Sequence, residues 1–463
     1  MKKTIDRVLL RTFLILFALT AAALLLHAEW VLVPVLLWLF TRRELPHFTL
    51  WLLILGCAMR LAMFRWIHPE PVADFSLLYS AAQSLLRGDR SFALTSHFAL
   101  WSYQTGFVVW EAMLLRIWNS IAMIRAVNAV LSALSVCLVY RLALPYVRRT
   151  SAQGIALLLT VFPFALTLPA VLTNQIPSAF FLLLGVWLAA SPDTDALHFW
   201  RWLLAGLSLG VGNILRPEGV IILVALFVWA LFRLLRGAQA RQMLLGMLAL
   251  LAIYTAATHG ADAAVRLSGL NDNGLGSRLP GWKLVCGLNE ETYGLYSVED
   301  WAALDETLDE HYHPTEATIA LQNQMIAQRL RSLPGRALHW LYQKDSRLWE
   351  DDALSWALAD VMVSHPVPFR FVAEFDRGVF YFALLLALLG LTQRKTRSAE
   401  ALLPHFVFFA AVCAFLLIEV QPRYAYLPQL FLFAAAAPGL DALHRWRNGG
   451  KEESLIEKAS LAL

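Results

Sequence analysis

Asp74 lies in the stretch PEPVADFSLLYSAAQSLLRG, residues 69–88, directly after a long apolar run. A carboxylate there has two readings. It can take the proton of a reacting hydroxyl as a general base. It can also cap the small amphipathic helix that the sequence predicts from Phe75, since aspartate is a favoured N-cap. Other polar groups recur at the ends of apolar runs: Tyr103–Gln104, Thr173–Asn174–Gln175, Arg216–Pro217–Glu218 and Gln421–Pro422–Arg423–Tyr424. Each has a plainer alternative. Arg216 and Glu218 can form an internal ion pair at a chain break, and Arg423 can be a snorkelling interface anchor. Asn174 and Gln175 can be turn residues, and Lys344 a solvated helix residue. His311 and His313 with Glu316 match no recognised zinc spacing and read as part of an acidic surface loop. Cys57, Cys137, Cys286 and Cys413 show no CxxC spacing, so neither a disulfide framework nor a zinc site is expected.

The elements that must position these groups are apolar. Of 463 residues, 59% are hydrophobic and 16% charged, against about 25% charged in a soluble domain. Mean hydropathy is +0.57. Apolar runs of about 18 or more residues recur from end to end, as in a polytopic helical membrane protein. Ten-residue alternation of the outer-membrane barrel kind is absent. The net charge is only +4 and the basic residues are scattered, so nucleic acid is a poor partner.

Clusters of lysine and arginine mark cytoplasmic loops. They occur at the N-terminus, Arg42–Arg43, Arg148–Arg149, 233–241, 393–397 and the C-terminus. Spans are expected near 8–26, 29–41, 48–67, 122–144, 152–170, 173–191, 201–216, 218–233, 241–258, 377–392, 401–418 and 425–442. That makes about twelve, with both termini inside. The first run has the look of a signal peptide, but a second apolar run follows at once, so it is read as a retained span. Residues 104–118 contain Glu111 and Arg116, which are costly in lipid, and predict an interfacial or re-entrant helix. With these orientations every polar group named above faces the extracytoplasmic side, as a shared polar cavity would require.

The chain divides into an N-terminal transmembrane hairpin, 1–45, and a core, 46–258, whose first outer loop is 68–120. An extracytoplasmic segment follows at 259–376, then C-terminal transmembrane helices at 377–445 and a cytoplasmic tail at 446–463. The segment 259–376 is far longer than a connector needs. Its tryptophans and periodic leucines argue against disorder, so it reads as a mostly helical subdomain packed on the bundle.

Asp74 followed by LLYSAAQSLLRGD resembles the first-loop motif of the GT-C membrane glycosyltransferases, of the protein O-mannosyltransferase and lipid A aminoarabinose transferase type (family 39-like), in a bacterial branch. Further landmarks are YQTG at 103–106, RAVNAVLSALSVCLVYRLA, LRPEGVIILVA at 215–225, WKLVCGLNEETYGLY at 282–296, QKDSRLWED at 343–351 and PRYAYLP at 422–428. The likeness covers roughly 50–445, leaving out the N-terminal hairpin. It implies a GT-C-like all-α bundle in the plasma (inner) membrane. It further implies an inverting transferase that takes a sugar from a polyprenyl-phosphate donor and passes it to an envelope glycan, lipid or protein on the outer face.

In that role Asp74 is the expected base. Arg423 and Lys344, then Lys283 and Arg216, are expected to hold the donor phosphate, since arginine offers a planar fork and lysine a point charge. Tyr103, Gln104, Asn174, Gln175, Glu218, Asn289, Glu290 and Tyr424 are the expected substrate-binding residues. The rings of Trp101 and Tyr103 suit stacking against a sugar. Where relatives carry acids near the second outer loop, this chain reads LTNQIPSA. A divalent metal, which wants several carboxylates, is therefore not expected, nor is any other cofactor. Two other functions remain open. One is a glycan polymerase or ligase using a lipid-linked oligosaccharide. The other is a lipid-linked sugar flippase, which the absence of paired repeats disfavours.

Overall fold

A computed structural model describes residues 2–25, 31–190, 198–236, 240–349, 354–393 and 401–447. The basic residues 394–397 and the tail beyond 447 lie outside the described residues. The described chain is all-α: it holds 21 α-helices and no β-strand, only an isolated bridge between Leu308 and Pro314.

Each of the twelve apolar segments falls on a helix or a broken pair. They are Lys2–Leu25, Leu32–Phe40, Phe48–Met63, Ile121–Ala143, the pair Arg149–Val161 and Pro163–Thr167, Gln175–Ala190, His198–Leu215, Gly219–Leu235, Ala240–Leu267, Pro366–Leu391, Leu403–Leu417 and Tyr426–Arg447. Among the described residues three helices could cross a membrane by length and composition, or four if the pair bent by 62° is one span. Six more apolar helices have 10–17 residues. The bend has a local cause. Pro163 opens the second helix, and the residue before a proline is pushed out of the helical region; Phe162 accordingly has ψ 117°.

Tyr426–Arg447 is the central helix. Leu430 to Ala437 are all at most 3% exposed. The run Ala434–Ala437 removes side-chain bulk, the usual device for close helix contact, and Pro366–Leu391 packs there. This deeply buried helix starts three residues after Arg423.

The helix Thr105–Ile117 has 13 residues, about 20 Å, too short for a hydrocarbon core of about 30 Å. It packs against Ala73–Leu86, and Glu111 on it is fully buried in protein. Gly106 permits a close approach: a Cβ there would lie 2.3 Å from the carbonyl of Ile214.

Residues 98–105 and 271–304 form one unit. Asn271 Nδ2 donates to Phe98 O at 3.2 Å, Asn273 Nδ2 to Ala99 O at 3.2 Å and Arg278 N to Leu100 O at 3.0 Å. Leu100 shares a small core with Leu279, Trp282, Val285, Cys286 and Leu304. Helices there have clear start signals. Thr315 and Thr318 form a reciprocal capping box at Glu316–Ser332, and Ser297 caps Val298–Asp305. Ala240–Leu267 and Pro366–Leu391 each run through the boundaries expected at 258 and 376.

Candidate functional site

A cleft of about 860 Å³ opens where the first outer loop, the Arg216–Glu218 turn, residues 282–301 and the Glu419–Tyr424 connection meet. Three acids and three strong cations line it: Asp74, Glu218, Glu419, Arg216, Lys283 and Arg423.

Asp74 stands in the first turn of Ala73–Leu86, yet it is not a cap. The N-cap position is Val72, with no side-chain cap bond. Asp74 Oδ2 instead accepts from Arg423 Nη2 at 3.2 Å, with the two side chains 42% and 8% exposed. Ala73, immediately before it, has φ 48°. A non-glycine residue in the left-handed region is strained, and such strain persists only where the surroundings impose it. The Arg423 guanidinium lies 4.6 Å from the Phe75 ring centroid and 5.3 Å from that of Trp356. Its buried Nε has no hydrogen-bond partner among the described residues.

The Tyr424 ring is the hub for the other cations. Arg216 stacks 4.3 Å above it, and Lys283 Nζ lies 5.7 Å from its centroid and 3.4 Å from its hydroxyl. Arg216 Nε donates to Glu218 Oε1 at 2.5 Å, and Nη1 to Asn174 Oδ1 at 3.3 Å. Lys283 Nζ pairs with Glu419 Oε2, whose other oxygen accepts from Gln421 Nε2 at 2.9 Å. The two backbones are joined as well, Glu419 N donating to Lys283 O at 2.7 Å. Burial opposes the charges of this pair, but the Tyr424 phenol and the Glu419 carboxylate hold the Lys283 ammonium well above the ordinary lysine range. Lys283 in turn keeps the buried Glu419 carboxyl below its ordinary value. Burial also opposes the Arg216 charge, and Glu218 more than compensates.

Tyr103 and Gln104 line the same cleft. His97 Nε2 lies 2.9 Å from Gln104 Oε1. Of the residues nominated from sequence, the cleft thus gathers Asp74, Tyr103, Gln104, Asn174, Arg216, Glu218, Lys283, Arg423 and Tyr424.

Four others stand elsewhere. Lys344 is 1% exposed, and its ammonium donates to Gly287 O at 2.6 Å and Leu416 O at 3.1 Å, away from the cleft lining. Asn289 holds its own loop, accepting from Glu291 N at 2.9 Å and donating to Asp300 at 2.8 Å. Glu290 pairs with Arg336 at 3.4 Å on the exterior. Gln175 is buried, with neither amide atom partnered among the described residues.

Sequence reasoning missed Glu419, although it ends an apolar run four residues before Arg423 and satisfies the criterion that singled Arg423 out. It also passed over His97, Trp282, Tyr296, Trp301 and Trp356 as individual lining residues. Among the described residues no group of three or more His, Cys, Asp or Glu is arranged to hold a metal ion. His311 and His313 sit on a turn that Asp309 fixes by accepting from both backbone amides.

A family model described as dolichyl-phosphate-mannose-protein mannosyltransferase matches residues 104–260. No curated protein matches the chain. Among solved structures, the archaeal oligosaccharyltransferase AglB from Archaeoglobus fulgidus, in complex with an inhibitory peptide and a dolichol-phosphate, is 14% identical, with a TM-score of 0.49 over 88% of this chain and 52% of that one. The apo form of the Archaeoglobus fulgidus oligosaccharyltransferase is 13% identical, with a TM-score of 0.49 over 89% and 52%. The chain thus spans about half the length of these archaeal enzymes. The family match supports a glycosyltransferase of the GT-C superfamily. Its range includes Gln104, Asn174, Arg216 and Glu218, and excludes Asp74, Lys283, Glu419 and Arg423. Of those four, Asp74, Lys283 and Arg423 were nominated from the sequence, and Glu419 enters through geometry alone.

Proposed function

We propose that this glycosyltransferase moves a sugar from a polyprenyl-phosphate carrier to an acceptor hydroxyl, with inversion and with Asp74 as general base. One observation carries the reading: Asp74 and Arg423 lie 3.2 Å apart in a cleft that also holds Arg216 and Lys283. In the step, the acceptor oxygen bonds to the anomeric carbon while the bond from that carbon to the phosphate oxygen breaks. The acceptor proton passes to Asp74 and the electron pair leaves on the phosphate.

Arg423 serves both ends of that exchange. Its Nη2 is engaged by Asp74, and its buried Nε has a donor to spare. A phosphate offers the planar fork two parallel acceptors, and such bidentate pairs are the strong ones. Donor binding therefore draws Arg423 from Asp74 to the phosphate and leaves the carboxylate free to take a proton. Arg216 and Lys283, held by Glu218 and Glu419, add fixed positive charge toward the departing phosphate. Leu77, Val220, Ile221 and Ile418 form an apolar stretch of the lining suited to an isoprenoid chain.

The protein is read as multi-pass in the inner membrane, with both termini cytoplasmic and the cleft outside, on the distribution of basic loops. No divalent metal is assigned, because each of the three carboxylates of the cleft already has a cationic partner. Transfer is expected to survive EDTA; loss restored by magnesium or manganese overturns that assignment.

The central test uses membranes containing Asp74→Asn and Asp74→Ala at wild-type levels, with a labelled polyprenyl-phosphate sugar. Transfer is expected to fall by about 10²- to 10⁴-fold in both. Full activity in either variant removes Asp74 as the base. A product extended by one sugar supports the monosaccharide transferase, and a chain of sugars supports a polymerase or ligase.

A further inference from the structure

We infer that the acceptor is a neutral saccharide held against a band of aromatic rings on the outer wall of the cleft. This rests on glycosyl transfer taking place in the cleft, and adds the chemical class that receives the sugar.

The band is a continuous chain of five rings, all lining the cleft. Ring centroids are 5.3 Å apart from His97 to Trp101, 5.3 Å from Trp101 to Trp301, 5.6 Å from Trp301 to Trp282 and 5.7 Å from Trp282 to Tyr296. The rings come from two distant parts of the sequence, joined by the bonds from Asn271, Asn273 and Arg278 to the backbone of Phe98, Ala99 and Leu100. Packing explains Trp282, which is 2% exposed and anchors the small outer core. Trp101 and Trp301 pack against that core yet stay half-buried, and packing does not explain Tyr296, which is 44% exposed. Their exposed parts contribute apolar surface to the lining of the cleft.

Three features of the cleft select the occupant. A pyranose has a flat face of C–H bonds that covers an aromatic ring, and an edge of hydroxyls that needs sparse polar partners. The rings supply the first; the His97–Gln104 pair and the Tyr103 hydroxyl supply the second. The formal charges of the lining cancel, and its cations are those taken up by the carboxylates and the donor phosphate, so nothing here recruits an acidic acceptor. A peptide bound by strand addition needs a strand edge, and the described residues contain no strand.

The experiment uses the full chain in lipid nanodiscs and saturation-transfer-difference NMR. The probes are neutral trisaccharides of mannose, glucose, galactose and N-acetylglucosamine, with a serine/threonine peptide as a separate arm. At least one trisaccharide is expected to receive saturation at its ring C–H protons. Trp301→Ala and Tyr296→Ala are each expected to weaken that binding about tenfold, and Trp301→Phe to retain most of it. Asp74→Asn is expected to bind the trisaccharide while its transfer falls about 10²- to 10⁴-fold, which separates a failure of the aromatic wall from a failure of the transfer chemistry. If Trp301→Ala does not fold, the Trp301→Phe and Tyr296→Ala pair decides. The inference is overturned if no trisaccharide binds, if binding is unchanged in the ring-removing variants that fold, or if only the peptide binds.

Discussion

Lys344 and Lys283 show how burial sorts two lysines that look alike in the sequence. Lys283 meets Glu419 at the cleft and stays charged. Lys344 meets only carbonyls and the face of Trp340, 4.8 Å away, and burial lowers its pKa to about 7. Its stem lies under Gly294, whose φ of 85° forms a turn that a Cβ would spoil by meeting Lys344 Cε at 2.8 Å. Because the folded pKa is depressed, the unfolded chain binds more protons between about pH 7 and 10.5, and stability rises with pH across that window. Below about pH 7 both states are protonated and the cost is complete, of order 5 kcal/mol. The apparent Tm of wild type, measured in detergent from pH 7 to pH 10, is therefore expected to rise relative to Lys344→Met. Parallel curves would show that the ammonium keeps its charge in the fold. The sequence could not separate the two lysines, since QKD reads as a solvated run on a helix. Asp74 and Arg423 were legible one at a time, as charges just outside apolar runs. Their contact across 349 residues was not.

At the scale of elements, the site depends on how closely the short helix Thr105–Ile117 approaches the end of His198–Leu215. Gly106 touches Ile214 there, two residues after Gln104 and two before Arg216 in the facing segment. Gly106→Ala would place a methyl 2.3 Å from a backbone carbonyl, so a helix must move. Overpacking of this kind costs about 1–3 kcal/mol, and a displacement of about 1 Å near reacting groups can cost about 10²-fold in rate. The variant is expected to fold, with a lowered Tm and transfer reduced at least about tenfold; transfer at wild-type rate would show that this contact does not position Gln104 and Arg216. The helices were readable from apolar runs and from charges that lipid rejects, Glu111 among them. Glu111 proved costly in a different way, buried in protein with neither carboxylate oxygen hydrogen-bonded among the described residues. The bend at Phe162 was not read from the sequence, where 152–170 stood as one span, although Pro163 is its local cause. The joint between residues 98–100 and 271–278 was not, because asparagine side chains bonding to distant carbonyls leave no periodic trace.

At the scale of the whole molecule, two constraints of different origin meet. The all-α architecture follows from composition, because an apolar chain in lipid must satisfy its backbone internally. Its orientation follows only from where lysine and arginine fall. The outer unit links them: Asn271 bonds to Phe98, so residues 91–105 and 271–315 must share a side of the membrane whichever side it is. This separates a test of fold from a test of orientation. The four native cysteines are first replaced by alanine, including the exposed Cys413. Leu94→Cys, Tyr312→Cys and Arg43→Cys are then introduced singly, at positions 77% exposed, 40% exposed and exposed respectively. An impermeant maleimide is expected to label the first two in intact cells and the third only after permeabilisation. Opposite behaviour of Leu94→Cys and Tyr312→Cys would break the outer unit, and with it the convergence of Asp74 and Lys283 on one cleft. Agreement between those two with the reverse sidedness would keep the cleft and turn it to the cytoplasm. The donor phosphate and the acceptor would then have to meet Asp74 from the inner leaflet.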